Sequence, residues 1–204
     1  MFLEINPENP DDRLIQQVVQ KLQKGGIIIY PTDTVYALGC NLMDKRAIEK
    51  LAKLKGLKPK KANFSLMCYD LSTLSEYTKY IDRPTYKILN KNLPGPFTFI
   101  LNASSKIPKL FDSNKKTVGI RIPDNEIVRR IVENLGNPLV TTSIHDEDEI
   151  IEYTTDPYAI NENWEGKVDI IIDGGYGRNE PSTVIDCSQE GVEIVRQGIG
   201  ELLY

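Results

Sequence analysis

A chain of 204 residues, 40% of them hydrophobic, can bury one substantial core without cross-links, and one domain over residues 1–204 is expected. The net charge of −4 argues against wholesale nucleic-acid binding, and no stretch approaches the ~18 consecutive apolar residues of a membrane span. Cys40, Cys68 and Cys187 are odd in number and scattered, which excludes a disulfide framework or a Cys-x-x-Cys zinc site. The start, Met1-Phe2-Leu3-Glu4-Ile5-Asn6, lacks the basic region and apolar run of a signal peptide, so a cytoplasmic protein with reduced thiols is expected.

Along the chain, Asn9-Pro10-Asp11-Asp12 supplies a cap, a first-turn proline and two acids for a helix carrying Leu14, Ile15, Val18, Val19 and Leu22. Gly25-Gly26 stops it, and the β-branched run 27–30 predicts a strand buried on both faces. Asp44 caps a second helix with Ala47, Ile48, Leu51 and Ala52, ended by Gly56. A strand at 64–68 follows, then a helix opened by Pro84 and closed by Leu93-Pro94-Gly95-Pro96. Strands are expected at 97–101 and 118–122, and Asp124 is placed to cap a helix carrying Ile127, Val128, Ile131, Val132 and Leu135 that Gly136 ends. Strands at 139–142, 168–172, 183–185 and 192–195 complete the series. Adjacent strands without intervening helices predict an α/β fold with a twisted, open, mixed sheet flanked by helices.

Charge is segregated. Positions 45–61 hold eight basic residues against Glu49 alone, whereas 146–165 hold eight acids and no Lys or Arg. The pattern is compatible with one basic working face and one acidic, solvated stretch, but charge alone favours two ordinary solvated surfaces.

Polar or glycine-rich segments recur at predicted strand ends, where open α/β sheets bind ligands. They are Pro31-Thr32-Asp33-Thr34-Val35-Tyr36-Ala37-Leu38-Gly39, Lys53-Leu54-Lys55-Gly56-Leu57-Lys58-Pro59, Pro94-Gly95-Pro96-Phe97-Thr98, Gly119-Ile120-Arg121-Ile122-Pro123 and Thr141-Thr142-Ser143. Near the end come Pro181-Ser182-Thr183-Val184-Ile185-Asp186 and Val195-Arg196-Gln197-Gly198. Singly each reads as a turn or a solvated helix end. Arg121 is the exception, because a charge inside a strand must reach an edge, a partner or a ligand. Together, the hydroxyls of Thr32, Thr98, Ser143, Ser182 and Thr183 and the cations Lys55, Arg121 and Arg196 form the inventory a phosphate or carboxylate ligand requires. His145 is the only histidine, set among acids, and neither Gly-x-x-x-x-Gly-Lys-Ser/Thr nor Gly-x-Gly-x-x-Gly occurs.

Taken in order, from about Asn9 to Gly200, these segments resemble the YrdC/YciO family of threonylcarbamoyl-adenylate synthase-like proteins, most closely its YciO branch. The resemblance implies an open α/β sheet with a basic concave face. It implies the conversion of L-threonine, bicarbonate and ATP, with magnesium, to threonylcarbamoyl-AMP and pyrophosphate for tRNA modification. It assigns Lys55, Thr32 and Ser143 to catalysis: Thr32 to threonine, Lys55 and Arg196 to phosphates, and Ser143 and Ser182 to the nucleotide. Tyr36, Lys58, Thr98, Arg121 and Thr183 would line the same cavity.

Two positions depart from the synthase pattern. Its Lys-x-Arg reads Lys55-Gly56-Leu57 here, and Leu57 donates no hydrogen bond, although Lys58 follows it. Its Ser-x-Asn reads Ser143-Ile144-His145, and His145 replaces only part of an amide's hydrogen bonding. The alternative is therefore a YciO-type paralogue that binds nucleotide, tRNA or double-stranded RNA through the basic cluster without efficient synthesis.

Overall fold

The structure, a computed structural model, describes residues 1–57, 63–108, 116–144 and 155–204. Its strands are β1 (Phe2–Glu4), β2 (Ile27–Tyr30), β3 (Ala37–Asn41), β4 (Ser65–Met67), β5 (Phe97–Asn102), β6 (Thr117–Arg121), β7 (Leu139–Ser143), β8 (Ile170–Asp173), β9 (Thr183–Asp186) and β10 (Glu193–Arg196). The helices are α1 (Asp12–Gln23), α2 (Lys45–Leu54), α3 (Leu71–Tyr77), α4 (Arg83–Asn92), α5 (Glu126–Leu135) and α6 (Pro157–Trp164).

Local chemistry sets the helix ends. Asp44 accepts from the Arg46 and Ala47 amides to start α2, and Asp82 accepts from Thr85 to start α4. Two expected caps move by one or two residues. Asp11, rather than Asn9, caps α1 by accepting from Arg13, and Asn125, rather than Asp124, caps α5 by accepting from Val128. Gly136, at φ 76°, ends α5 in the left-handed region, where a side chain would be strained.

The strands form one mixed sheet in the order β1-β8-β2-β3-β7-β4-β6-β5-β9-β10. β1/β8, β2/β8, β4/β6 and β5/β9 are parallel pairs, and the rest are antiparallel. Alternation divides the core in two. The back face carries Ile27, Ile29, Leu38, Cys40, Leu66, Phe99, Ile120 and Val140 against Ile48 and Leu51 of α2, Leu74 of α3, Leu89 of α4 and Ile160 of α6. On the front face, Ile28, Tyr30, Met67, Leu139, Ile170 and Ile172 pack against α1 and α5. That front core takes no residue from β5, β6 or β9. Helices α1 and α5 thus pack on one half of the front face, and over β6 and β5 the buried front-side groups include Arg121 and Thr98.

Candidate functional site

On β6 the buried Val118 and Ile120 face the back core, so Gly119 and Arg121 face the front. The same alternation sends Thr98 and Ile100 of β5 and Ser65 of β4 forward. Ser65 pairs with Thr141 on one side and Gly119 on the other, and Gly119 pairs with Ile100.

Residues 31–36, between β2 and β3, meet the last residue of β6. Within this loop the Thr32 hydroxyl donates to the Val35 carbonyl at 2.8 Å and accepts from the Thr34 amide at 3.0 Å. Arg121 Nη2 donates to Asp33 Oδ1 at 2.8 Å and to Thr34 Oγ1 at 2.9 Å, while Asp33 Oδ2 accepts from the Asp124 amide at 3.0 Å. The Arg121 and Asp33 side chains are only 9% and 8% exposed. A buried pair of this kind needs its remaining hydrogen-bonding groups satisfied, yet Arg121 Nε is buried without a partner. The intrastrand charge that sequence left unexplained is thus anchored to Asp33, with one donor to spare.

A second group adjoins the start of β9. The Thr98 and Ser182 hydroxyls lie 2.8 Å apart, and Arg196 Nη2 donates to the Ser182 carbonyl at 2.8 Å. The Thr183 hydroxyl is engaged in folding the C-terminal loop: it donates to the Gly200 carbonyl at 2.7 Å and accepts from the Gly198 amide at 3.0 Å. Gly198 passes so close that a Cβ there would lie 2.2 Å from the Pro181 carbonyl oxygen.

Tyr36 is fully buried, and its hydroxyl donates to the Gly175 carbonyl at 2.7 Å and accepts from the Gly174 amide at 3.2 Å. Burial pushes this phenol above its ordinary pKa, so it serves as a neutral brace for the loop after β8. That loop touches the first: the Arg178 amide donates to the Thr34 carbonyl at 3.1 Å. Beside it a groove of about 360 Å³ is lined by Thr155, Arg178, Asn179, Glu180 and Ile199.

The other expected residues lie further along. Ser143, half-buried, ends β7 opposite Ala37 and so flanks the 31–36 loop. Lys55 caps the C-terminus of α2, followed by Gly56 at φ +65°. Lys58 and His145 fall outside the described residues. Among the described residues no cluster of three or more His, Cys, Asp or Glu side chains could hold a metal ion. No helix among them is long and apolar enough to cross a membrane. Cys40 and Cys68 are buried free thiols.

The geometry is matched by kinship. The sequence model of the Sua5/YciO/YrdC family, described as telomere recombination, matches residues 20–198. The chain belongs to the Sua5/YciO/YrdC family. Within it, an uncharacterized Haemophilus influenzae protein is 45% identical over 98% of this chain and 96% of its own length. Escherichia coli YciO, also uncharacterized, is 42% identical over 98% and 97%, and its crystal structure superposes with a TM-score of 0.91. A threonylcarbamoyl-AMP synthase of Vibrio vulnificus is 28% identical over 90% of this chain and 98% of its own. The crystal structure of Pyrococcus abyssi Sua5 complexed with L-threonine is 26% identical with a TM-score of 0.88, covering 97% of this chain and 57% of that longer one. The Sua5/YciO/YrdC fold is thus the expected mixed sheet flanked by helices.

The residue that sequence reasoning passed over is Asp33. Asp33 reads locally as a turn carboxylate, and its partner Arg121 lies 88 positions away.

Proposed function

We propose that the front face binds ATP and an amino acid, and that the chain forms an aminoacyl carbamate adenylate of the threonylcarbamoyl-AMP type. The observation that carries this reading is the buried Arg121 guanidinium. It is fixed by Asp33 and Thr34 at the end of β6, a strand that contributes no residue to the core under α1 and α5. A preorganised guanidinium of this kind suits a carboxylate or phosphate oxygen. The P. abyssi Sua5 complex supports an amino-acid ligand, and the V. vulnificus relative supports the reaction.

In this reading the threonine amine takes up the carboxyl unit of bicarbonate with loss of water. The resulting carbamate oxygen attacks the α-phosphate of ATP, and pyrophosphate leaves. No protein nucleophile is required, so catalysis rests on alignment and charge neutralisation. Arg121 would hold the amino-acid carboxylate beside the ordered Thr32 turn, Lys55 and Arg196 would face the phosphates, and Ser143 and Ser182 would orient the nucleotide. Magnesium would enter on the phosphates of ATP. Leu57, 42% exposed, occupies the position of a synthase arginine and offers no donor, so turnover is expected to be slow.

The test is isotope exchange between pyrophosphate and ATP, with and without threonine and bicarbonate. Slow exchange that requires both co-substrates is expected. Exchange indifferent to threonine would reject the amino-acid assignment.

A second reading has its own observation. The outer face of α2 exposes Lys45, Arg46, Lys50 and Lys53, of which Lys50 is paired to Asp169 at 3.2 Å. Structured RNA bound there would dissociate steeply with salt, because each neutralised phosphate releases a counterion. A gel-shift series across salt with tRNA or duplex RNA tests this, and folded protein that shows no shift at low salt would reject it.

A further inference from the structure

From the end of β10 the chain runs as a strap across the start of β9 to the last turn of α4, where one buried side chain fastens it. Asn92, in that turn, is only 5% exposed. Its side-chain nitrogen donates to the Leu203 carbonyl and to the Ile88 carbonyl, both at 2.7 Å, and its oxygen accepts from the Leu203 amide at 2.9 Å. One side chain thus satisfies both backbone groups of Leu203, as a neighbouring strand would. Lys91 Nζ donates to the Tyr204 carbonyl beside it, and Leu202 packs on the back core. An asparagine that served α4 alone would need the Ile88 bond only. The two bonds to Leu203 join segments 111 positions apart.

The middle of the strap grips the residues that lead into β9. Beyond the bonds of Thr183 to Gly198 and Gly200, the Ile199 amide donates to the Pro181 carbonyl at 3.1 Å, and Gln197 Nε2 donates to the Gly200 carbonyl at 2.8 Å. Gly200 lies so near Phe97 that a Cβ there would be 2.6 Å from the ring. On the other side, the Thr183 amide donates to the Pro96 carbonyl at 3.0 Å. Ser182 therefore sits between two residues held by the strap, with its hydroxyl toward Thr98 and its carbonyl accepting from Arg196. We infer that Asn92 is a positioning residue for the nucleotide: by clamping Leu203 it keeps the strap docked, and the docked strap keeps Ser182 and Arg196 in the geometry that ATP meets. This rests on the nucleotide reading proposed above. Arg121 is held by Asp33 and Thr34, outside the strap's bonds, so the amino-acid end does not depend on the clamp. Undocking lowers the apparent affinity for ATP in proportion to the chains left competent.

The test is calorimetric titration of ATP, then of L-threonine at saturating ATP. The proteins are the wild type, Asn92→Ala, a chain lacking residues 202–204, and the two changes combined, each checked for an unchanged far-UV spectrum. Each single change should weaken ATP by about fivefold to thirtyfold, the scale of one to two neutral hydrogen bonds, and leave threonine affinity unchanged. The combined protein should bind ATP no more weakly than the shortened chain, because Asn92 then has no Leu203 to clamp. Should Asn92→Ala fail to fold, the shortened chain, which leaves α4 intact, decides the matter by itself. Unchanged ATP affinity in the folded variants, additive losses in the combined protein, or an equal loss of threonine affinity would each overturn the positioning role while the nucleotide reading stands. A folded wild type that does not bind ATP would overturn the nucleotide reading and the clamp's role with it.

Discussion

Replacing Asp33 with alanine leaves the Arg121 guanidinium buried, its Nε already unpartnered and its Nη2 bonded only to Thr34. The Asp124 amide loses its acceptor as well. Removing one partner of a buried ion pair typically costs about 3–5 kcal/mol. At a urea slope of about 3 kcal/mol/M, that displaces the unfolding midpoint by about 1–1.7 M. Asp12→Ala is the control: the Asp12 side chain bonds Arg130 at 2.8 Å but is 82% exposed, so its loss should cost less than about 1 kcal/mol. Asp33→Asn should fall between the two, since an amide oxygen still accepts from Arg121. Equilibrium urea unfolding of the four proteins decides the matter. An Asp33→Ala midpoint no lower than that of Asp12→Ala would refute the claim that this pair holds the loop against the sheet.

Three further outcomes are expected. Lys55→Ala should keep its fold and weaken ATP binding by roughly tenfold to hundredfold, the value of a charge-assisted bond, as read by calorimetry; unchanged affinity would return Lys55 to the surface. Burial, reinforced by Asp186 and Asp82, pushes the Cys187 thiol up to about 11, and burial raises Cys40 and Cys68 further. Native protein at pH 8 should therefore react slowly with a thiol reagent, with only about one Cys187 in a thousand ionised and the rate climbing with pH toward 11; rapid labelling at pH 8 would contradict that environment. Leu57→Arg combined with His145→Asn should raise threonine-dependent pyrophosphate release more than either change alone, and a wild type already as fast as relatives with both motifs intact would remove the reason for the experiment.

Much of the fold was legible because its physics is local. The buried run of β2 and the apolar stripes of α2 and α5 identify themselves by periodicity. What escaped was short or non-local. β1, at three residues, and the seven- and eight-residue α3 and α6 give too few turns or alternations for a pattern. β3 was hidden because Ala37, Leu38 and Gly39 read as the tail of a polar loop. Gly39 is small there because the Tyr30 ring lies over it, 2.7 Å from where a Cβ would be. In the site, hydroxyls and cations were readable as an inventory, and Arg121 stood out as a misplaced charge. Asp33 takes its role from a chain crossing, pairing with Arg121 across 88 positions, which neighbouring residues do not encode.

The central claim is that the front face is a nucleotide and amino-acid site, and calorimetric titration of ATP into the wild-type chain, followed by L-threonine, tests it most directly. Saturable one-site binding of ATP, followed by saturable binding of threonine to the complex, is predicted. Folded protein that gives no saturable heat with either ligand at millimolar concentration would contradict it.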